Sequence, residues 1–531
     1  MSAIRLLPGN PRRQRHRRLL ALLPTLLLTA VMALAAAPAA AAPAAAALAP
    51  TPAELVIANG LVVDGLGGEP YPADVVVGGG RILFIGKVDR QRLPEARLID
   101  AGGRVVAPGF IDAHSHGDPL ETPQFENFLA MGVTTITLGQ DGSSPDVDDL
   151  RGWLGAVEER GIGPNLAMFV GHGTLRNQAG IGLDPDPSRE QLVSLQQRLE
   201  RALEVTFGLS TGLEYNPGLN AGLVELDSLA RSVGARGRLI MSHLRNEDDH
   251  QLEAALDELI RQGQHARVHV AHLKSVYGHG AERAEEILAV LAAARERGVT
   301  ISADVYPYTA SHTGIALLFP AWAKTPEQFE QARRSRYDEL ADYLRERVLA
   351  RNGPQATLLG TEPYTGKTLA DLAAEFGKPF ERVLIDDIGP QGASAAYFVM
   401  DEALQARLLL DPTVAVSSDG SPTGFHPRGH GSFAKVIEDY VVAAQQLPLP
   451  EAVRKMTSLP AQILGIADRG VLAVGMAADL VIFDPTRVRA TATYTEPLQL
   501  AEGFDIVIVN GRIARHDGAM APELNGRVLR P

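Results

Sequence analysis

From Leu55 the chain breaks into short apolar runs separated by glycine turns: Leu55-Val-Ile-Ala, Leu61-Val-Val-Asp, Asp74-Val-Val-Val, Arg81-Ile-Leu-Phe-Ile and Arg104-Val-Val. Runs of this length bounded by turn residues predict strands. The same register returns near the C-terminus in Ala478-Asp-Leu-Val-Ile-Phe-Asp, Ile506-Val-Ile-Val-Asn-Gly and Arg512-Ile-Ala-Arg. The two ends therefore read as halves of one small β-sandwich domain, residues 52–106 and 466–531, around a long insertion.

Inside the insertion, apolar strands alternate with helical segments, the rhythm of βα units. Eight strands are predicted: Phe110–Ala113, Val133–Leu138, Asn165–Val170, Val205–Leu209, Arg238–Met241, Arg267–Ala271, Thr300–Asp304 and Thr413–Ser417. This α/β pattern over residues 107–465 predicts a (β/α)8 TIM barrel, whose chemistry sits at the C-terminal ends of its strands. The seventh and eighth strands lie more than a hundred residues apart. Residues of about 319–397 accordingly read as a helical insertion over the barrel mouth.

The first 47 residues read differently. Arg5, Arg12, Arg13, Arg15, Arg17 and Arg18 precede the apolar stretch Leu19 to Ala37, and small-residue cleavage motifs follow between Ala39 and Ala47. That order is an export signal and predicts a periplasmic protein. The net charge is −13, and removing six arginines makes the remainder more acidic still. An acidic surface argues against nucleic acid, and against membrane lipid once the signal is gone. There is no cysteine, so neither a disulfide framework nor a lipid-modified cysteine is available.

Chemistry enters with Ala107-Pro-Gly-Phe-Ile-Asp-Ala-His114-Ser-His116. Side chains alternate along a strand, so two histidines at i and i+2 leave its end on the same side. Two imidazoles aimed at one point are half a zinc site. The other predicted strands also end in ionisable residues: Asp141, His172, Glu214 with Tyr215, His243, His272 with Lys274, Asp304 with Tyr306, and Asp419 with Arg428 nine positions on. Singly, each reads as a satisfied core histidine or a capping aspartate. Together, at strand ends that converge, they form a donor set for one or two divalent metals. Asp419, alone on the last strand, is the candidate general base and acid. Arg428, Lys274 and the tyrosines form a cationic, hydrogen-bonding rim suited to a small-molecule substrate bearing a carboxylate. His250, His265, His269, His279, His426, His430 and His516 read as surface or supporting residues. The segment Gly360 to Thr368 mimics a phosphate loop but has five residues between its glycines where four are needed, so it reads as a turn.

At this point the chain resembles the amidohydrolase superfamily, and within it the N-acyl-D-amino-acid deacylases. The matching segments include Pro108-Gly-Phe-Ile-Asp-Ala-His-Ser-His, Val170-Gly-His-Gly-Thr, Gly208-Leu-Ser-Thr-Gly-Leu-Glu-Tyr, Ser242-His-Leu-Arg-Asn-Glu, Ala271-His-Leu-Lys, Asp304-Val-Tyr-Pro-Tyr, Ser418-Asp-Gly and His426-Pro-Arg. The resemblance implies zinc-dependent hydrolysis of an N-acyl-D-amino acid to a carboxylic acid and a D-amino acid. It implies Zn²⁺, one or two per subunit, with His243 and His272 on the tight position and His114 and His116 on a weaker one. Asp419 is implied as the acid/base, and Lys274, Tyr215, Tyr306, Ser311 and Arg428 as residues around the substrate carboxylate. One departure stands out: Asp141 occupies the position where these relatives carry a metal-binding cysteine. Three alternatives remain open: a dipeptidase acting on a C-terminal D-residue, a cyclic-amide hydrolase, and a metal-free binding protein. The predicted fourth strand carries no lysine, which disfavours the cyclic-amide reading.

Overall fold

The computed structural model describes residues 51–531; the predicted export signal lies outside the described residues. The described chain opens with β1 (Leu55–Val62), β2 (Tyr71–Gly78), β3 (Arg81–Gly86), β4 (Arg97–Asp100) and β5 (Val105–Pro108). The barrel strands follow as β6 (Phe110–Asp112), β7 (Val133–Leu138), β8 (Asn165–Gly171), β9 (Gly208–Gly212), β10 (Leu239–His243), β11 (Arg267–Val270) and β12 (Ile301–Val305). A lobe then contributes β13 (Ser311–Gly314), β14 (Thr357–Leu359) and β15 (Ser394–Tyr397) before β16 (Val414–Val416) completes the barrel. The chain ends with β17 (Leu480–Phe483), β18 (Phe504–Val509), β19 (Arg512–His516) and β20 (Ala519–Met520).

Strands from the two ends hydrogen-bond into one nine-stranded sheet, with β17 pairing β5 across the long insertion. Its junction is β1, whose first half pairs β4 and whose second half pairs β5. Alternate residues such as Ile57, Val75, Val106, Ile482 and Ile508 bury a shared apolar core.

The eight barrel strands run parallel in the order β16-β12-β11-β10-β9-β8-β7-β6. Near-continuous apolar strands of this kind are buried on both faces, and helices such as Leu252–Gln262 and Gly280–Glu296 pack their leucines against the outside. First and last strands meet at their C-terminal ends, where Asp419 N donates to His114 O at 2.8 Å and His116 N donates to Gly420 O at 2.8 Å. Asp112 braces that seam by accepting from both His114 N and Ser418 N at 3.1 Å.

Two local expectations shift. The fourth barrel strand begins at Gly208, because Val205 and Thr206 still turn back on the preceding helix through bonds to Ala202 O. Glycine is required there: a Cβ on Gly208 would lie 1.9 Å from Leu239 O. The lobe before the last strand is not helical alone. Ser311–Gly314 pairs antiparallel with Ser394–Tyr397 in a three-stranded sheet, and the helices Pro326–Ser335, Tyr337–Ala350 and Leu369–Phe376 pack on it. Among the described residues no helix is long and apolar enough to cross a membrane.

Candidate metal centre and active site

The strand ends deliver their polar side chains to one place. Asp141, which leaves β7, stands at the centre: its Oδ1 lies 3.2 Å from His272 Nε2, 3.4 Å from His114 Nε2 and 3.8 Å from His243 Nδ1. Its other oxygen, Oδ2, lies 3.4 Å from His116 Nε2. His243 Nδ1 and His272 Nε2 face each other at 3.0 Å. Asp419 closes the group, with Oδ1 3.1 Å from His116 Nε2 and 3.6 Å from His114 Nε2.

Backbone strain marks the same spot. Asp141, His272 and Asp419 have φ of 51°, 37° and 49°, left-handed values that side-chain-bearing residues seldom adopt. Such strain persists where surrounding structure over-determines it, and it clusters at functional sites.

The donor set fits zinc. Ligand atoms 2.0–2.1 Å from a tetrahedral zinc stand about 3.3 Å apart, close to the 3.0, 3.2 and 3.8 Å separations among His243 Nδ1, His272 Nε2 and Asp141 Oδ1. His114 is wholly buried and neither of its ring nitrogens has a hydrogen-bond partner. A buried polar atom without a partner is costly, and a cation between His114, Asp141 and Asp419 would supply one. The two oxygens of Asp141 face different histidines, so the set has room for one or two ions. No sulfur takes part, which leaves imidazole nitrogen and carboxylate oxygen, donors that suit zinc and harder divalent ions.

Charge tells the same story. Burial opposes a charge on His116, yet its hydrogen bonds to Asp141 and Asp419 outweigh that and raise its pKa to about 9. His272 is lifted to about 10 against burial and Lys274, by Asp419 and Asp141. Burial also opposes ionisation of Asp419, but Arg428, His272 and His116 hold it well below the carboxylate range. The ionised carboxylates thus draw positive charge onto His116 and His272, whereas burial outweighs them at His114 and lowers its pKa.

Around it lies a supporting layer. Asp304 is not a ligand: it accepts from His272 N at 2.9 Å and from Ser417 Oγ, and its second oxygen meets His269 Nε2 at 2.6 Å. His269 is a supporting residue: its two ring nitrogens are taken up by Asp304 and by Ser302 Oγ at 2.7 Å. Glu214 Oε2 lies 3.1 Å from His243 Nε2, and Glu247 Oε1 lies 3.2 Å from His272 Nδ1. The sequence places Glu214 just past a strand end and Glu247 four residues after His243, but their bracing role is visible only once the rings are positioned.

The rim differs in part from the sequence expectation. Lys274 is buried and paired with Glu247 at 2.6 Å, with Nζ 2.7 Å from His272 Nδ1. The guanidinium of Arg428 is not an open fork: Nη1 binds Asp419 Oδ2 at 2.6 Å and Nη2 donates to His312 O at 3.3 Å. Tyr306 does not line the cavity; its ring lies behind Arg428 and Lys274, 5.0 and 5.9 Å away, and its hydroxyl faces Met400 Sδ. Tyr215 and Ser311 do face the cavity. Two adjoining cavities share Asp141, Tyr215, His312, Asp419 and Arg428 as walls, and the outer one encloses about 260 Å³. His172, at the end of β8, is not brought to the cluster; it binds Glu225 at 2.7 Å.

Comparison with known proteins agrees with this geometry. Residues 247–515 match the model of the amidohydrolase family. An N-acyl-D-glutamate deacylase of Alcaligenes xylosoxydans xylosoxydans is 36% identical over 505 residues, spanning 90% of this chain and 96% of that protein. A D-aminoacylase of the same organism is 32% identical, with 90% and 98% covered. The crystal structure of an N-acyl-D-glutamate deacylase from Bordetella bronchiseptica, complexed with zinc and a phosphonate inhibitor that mimics the tetrahedral intermediate, superposes with a TM-score of 0.78. It is 33% identical, and 90% of this chain and all of that one are covered. With five donors gathered at the strand ends of a parallel barrel and this likeness along nearly its whole described length, the chain belongs to the amidohydrolase family, among the N-acyl-D-amino-acid deacylases.

Proposed function

We propose that the protein is a zinc-dependent hydrolase that cleaves the amide bond of N-acyl-D-amino acids, releasing a carboxylic acid and a D-amino acid. The observation that carries this reading is the convergence of His114, His116, His243 and His272 on Asp141, with the ionised carboxylate of Asp419 at 3.1 Å from His116. When bound, zinc lowers the pKa of water and polarises the carbonyl to be attacked. Asp141, His243 and His272 would hold one ion, and His114 and His116 with Asp141 would offer donors to a second.

Asp419 takes a proton at Oδ1 and later returns it to the leaving nitrogen, as base and then acid. Arg428 on Oδ2 keeps that carboxylate ionised and fixes its direction. Ser311 and Tyr215 face the cavity and hold the substrate carboxylate, while Lys274 and Arg428, paired with Glu247 and Asp419 in the cavity wall, lend it positive charge, and Tyr306 supports the two cations with the face of its ring. The D-configuration rests on the likeness to the deacylases. The order of basic and apolar residues at the N-terminus supports export to the periplasm.

The test is hydrolysis of N-acetyl-D-glutamate, N-acetyl-D-aspartate and N-acetyl-D-methionine, each beside its L-form, by zinc-loaded protein. Turnover of D-forms with none of the L-forms is expected; turnover confined to L-forms, or to cyclic amides, overturns the assignment.

A further inference from the structure

His243 presents Nδ1 to the donor cluster, whereas His114, His116 and His272 present Nε2. The far nitrogen of His243, Nε2, lies 3.1 Å from Glu214 Oε2. A neutral imidazole carries one hydrogen, so a hydrogen on Nε2 leaves the lone pair on Nδ1, facing Asp141 and His272. Placement is enforced by the backbone: Leu213 N donates to His243 O at 3.2 Å, which ties the segment bearing Glu214 to the end of β10. Glu247, by contrast, is divided between His272 and the Lys274 ammonium, and its other oxygen stands 4.0 Å from His243 Nε2, beyond hydrogen-bond distance. Among the described residues His243 is the one ion-pair partner of Glu214, so its charge acts on that ring.

We propose that Glu214 is a positioning residue that locks His243 in the Nδ1-ligand tautomer and so sets how tightly the ion shared with Asp141 and His272 is held. The proposal rests on the metal-centre reading above. A carboxylate accepting the N–H of a metal-bound histidine fixes ring orientation and raises ligand basicity, and its removal typically costs 10–100-fold in metal affinity. Glu214 also borders the cavity, so a direct contact with substrate is the rival role, and the two predict different kinetics.

The experiment compares the full-length parent with Glu214→Ala, Glu214→Gln and Glu214→Asp. Zinc affinity is read by competition with a chromogenic chelator, and the ligand field by the absorption spectrum of the cobalt-loaded protein. Glu214→Ala is expected to bind zinc about 10–100-fold more weakly and to shift the cobalt bands. Glu214→Gln, whose amide oxygen still accepts the N–H without the charge, is expected to fall between Glu214→Ala and the parent. At saturating zinc, KM is expected to stay near the parent value in each variant. Zinc affinity in Glu214→Ala within about threefold of the parent, with an unchanged cobalt spectrum, overturns the proposal. So does a rise in KM alone, which would make Glu214 a substrate contact. Melting of the metal-free variants shows that they are folded; if Glu214→Ala is not, the comparison is made on Glu214→Gln. A parent protein that takes up no zinc at all defeats the metal-centre reading instead.

Discussion

His114 and His172 both lie wholly buried where a barrel strand ends, and each has carboxylates beside it. Around His172 the charges are closed: Nε2 meets Glu225 at 2.7 Å, and the other oxygen of Glu225 meets Arg176 at 2.6 Å. Around His114 they are open. Its Nε2 comes no nearer than 3.4 Å to Asp141 and 3.6 Å to Asp419, while three more histidines face the same carboxylates. In one cluster Glu225 joins His172 and Arg176 into an ion-pair network between two helices; in the other several donors face one point, the arrangement that a cation would bridge. A strand-end histidine is therefore not a ligand by position alone. Convergence of several donors on one carboxylate makes the difference.

The sharpest way to separate the clusters is Asp419→Asn. Asparagine tolerates the left-handed backbone at this position, where φ is 49°, so the fold is expected to survive. Turnover is expected to drop by about 10²–10⁴-fold, the usual worth of a positioned proton carrier, while the zinc held by Asp141, His243 and His272 is retained by elemental analysis. Next in size comes Glu225→Ala. It strands Arg176 in the interior and is expected to cost about 3–5 kcal/mol in denaturant unfolding. Zinc stoichiometry is expected to stay unchanged, since no metal-facing donor is lost.

The same network has a pH signature, best read on chelated protein. Burial opposes the charge on Glu225, but His172 and Arg176 outweigh it and hold its pKa below the ordinary 4.5. A lowered folded-state pKa contributes stability above the unfolded value and loses it as pH falls through the folded one. The gap in unfolding free energy between the parent and Glu225→Ala is therefore expected to be constant near neutrality and to narrow below about pH 4.5. The smallest effect belongs to Tyr306→Phe. Its hydroxyl meets only the weak acceptor Met400 Sδ at 3.8 Å, whereas its ring carries the two cations. KM is expected to change by no more than about threefold; a larger rise would put the hydroxyl on the substrate.

Much of this contrast was legible in the order of residues. Long apolar strands between helical segments announce the barrel, and the two histidines after Phe110-Ile-Asp point to its rim. The fourth strand slipped because Val205 and Phe207 continue the apolar text of the preceding helix, while the true strand reads Gly-Leu-Ser-Thr-Gly. The strand Ser311–Gly314 was hidden for a similar reason: Ser-His-Thr-Gly has no apolar alternation, and its pairing with Ser394–Tyr397 spans eighty residues. Glu214 and Glu247 could be named as strand-end acids but not as braces, since that role depends on which ring nitrogen faces them. Spacing places Arg428 on the rim, but its pairing with Asp419 nine residues earlier depends on how the intervening turn folds back.

Zinc-edge anomalous scattering from crystals of the zinc-loaded protein is the most direct measurement. The account predicts a peak within bonding distance of Asp141, His243 and His272, with any second peak between Asp141, His114 and His116. A zinc peak elsewhere on the barrel, or none with the five side chains in place, would contradict it.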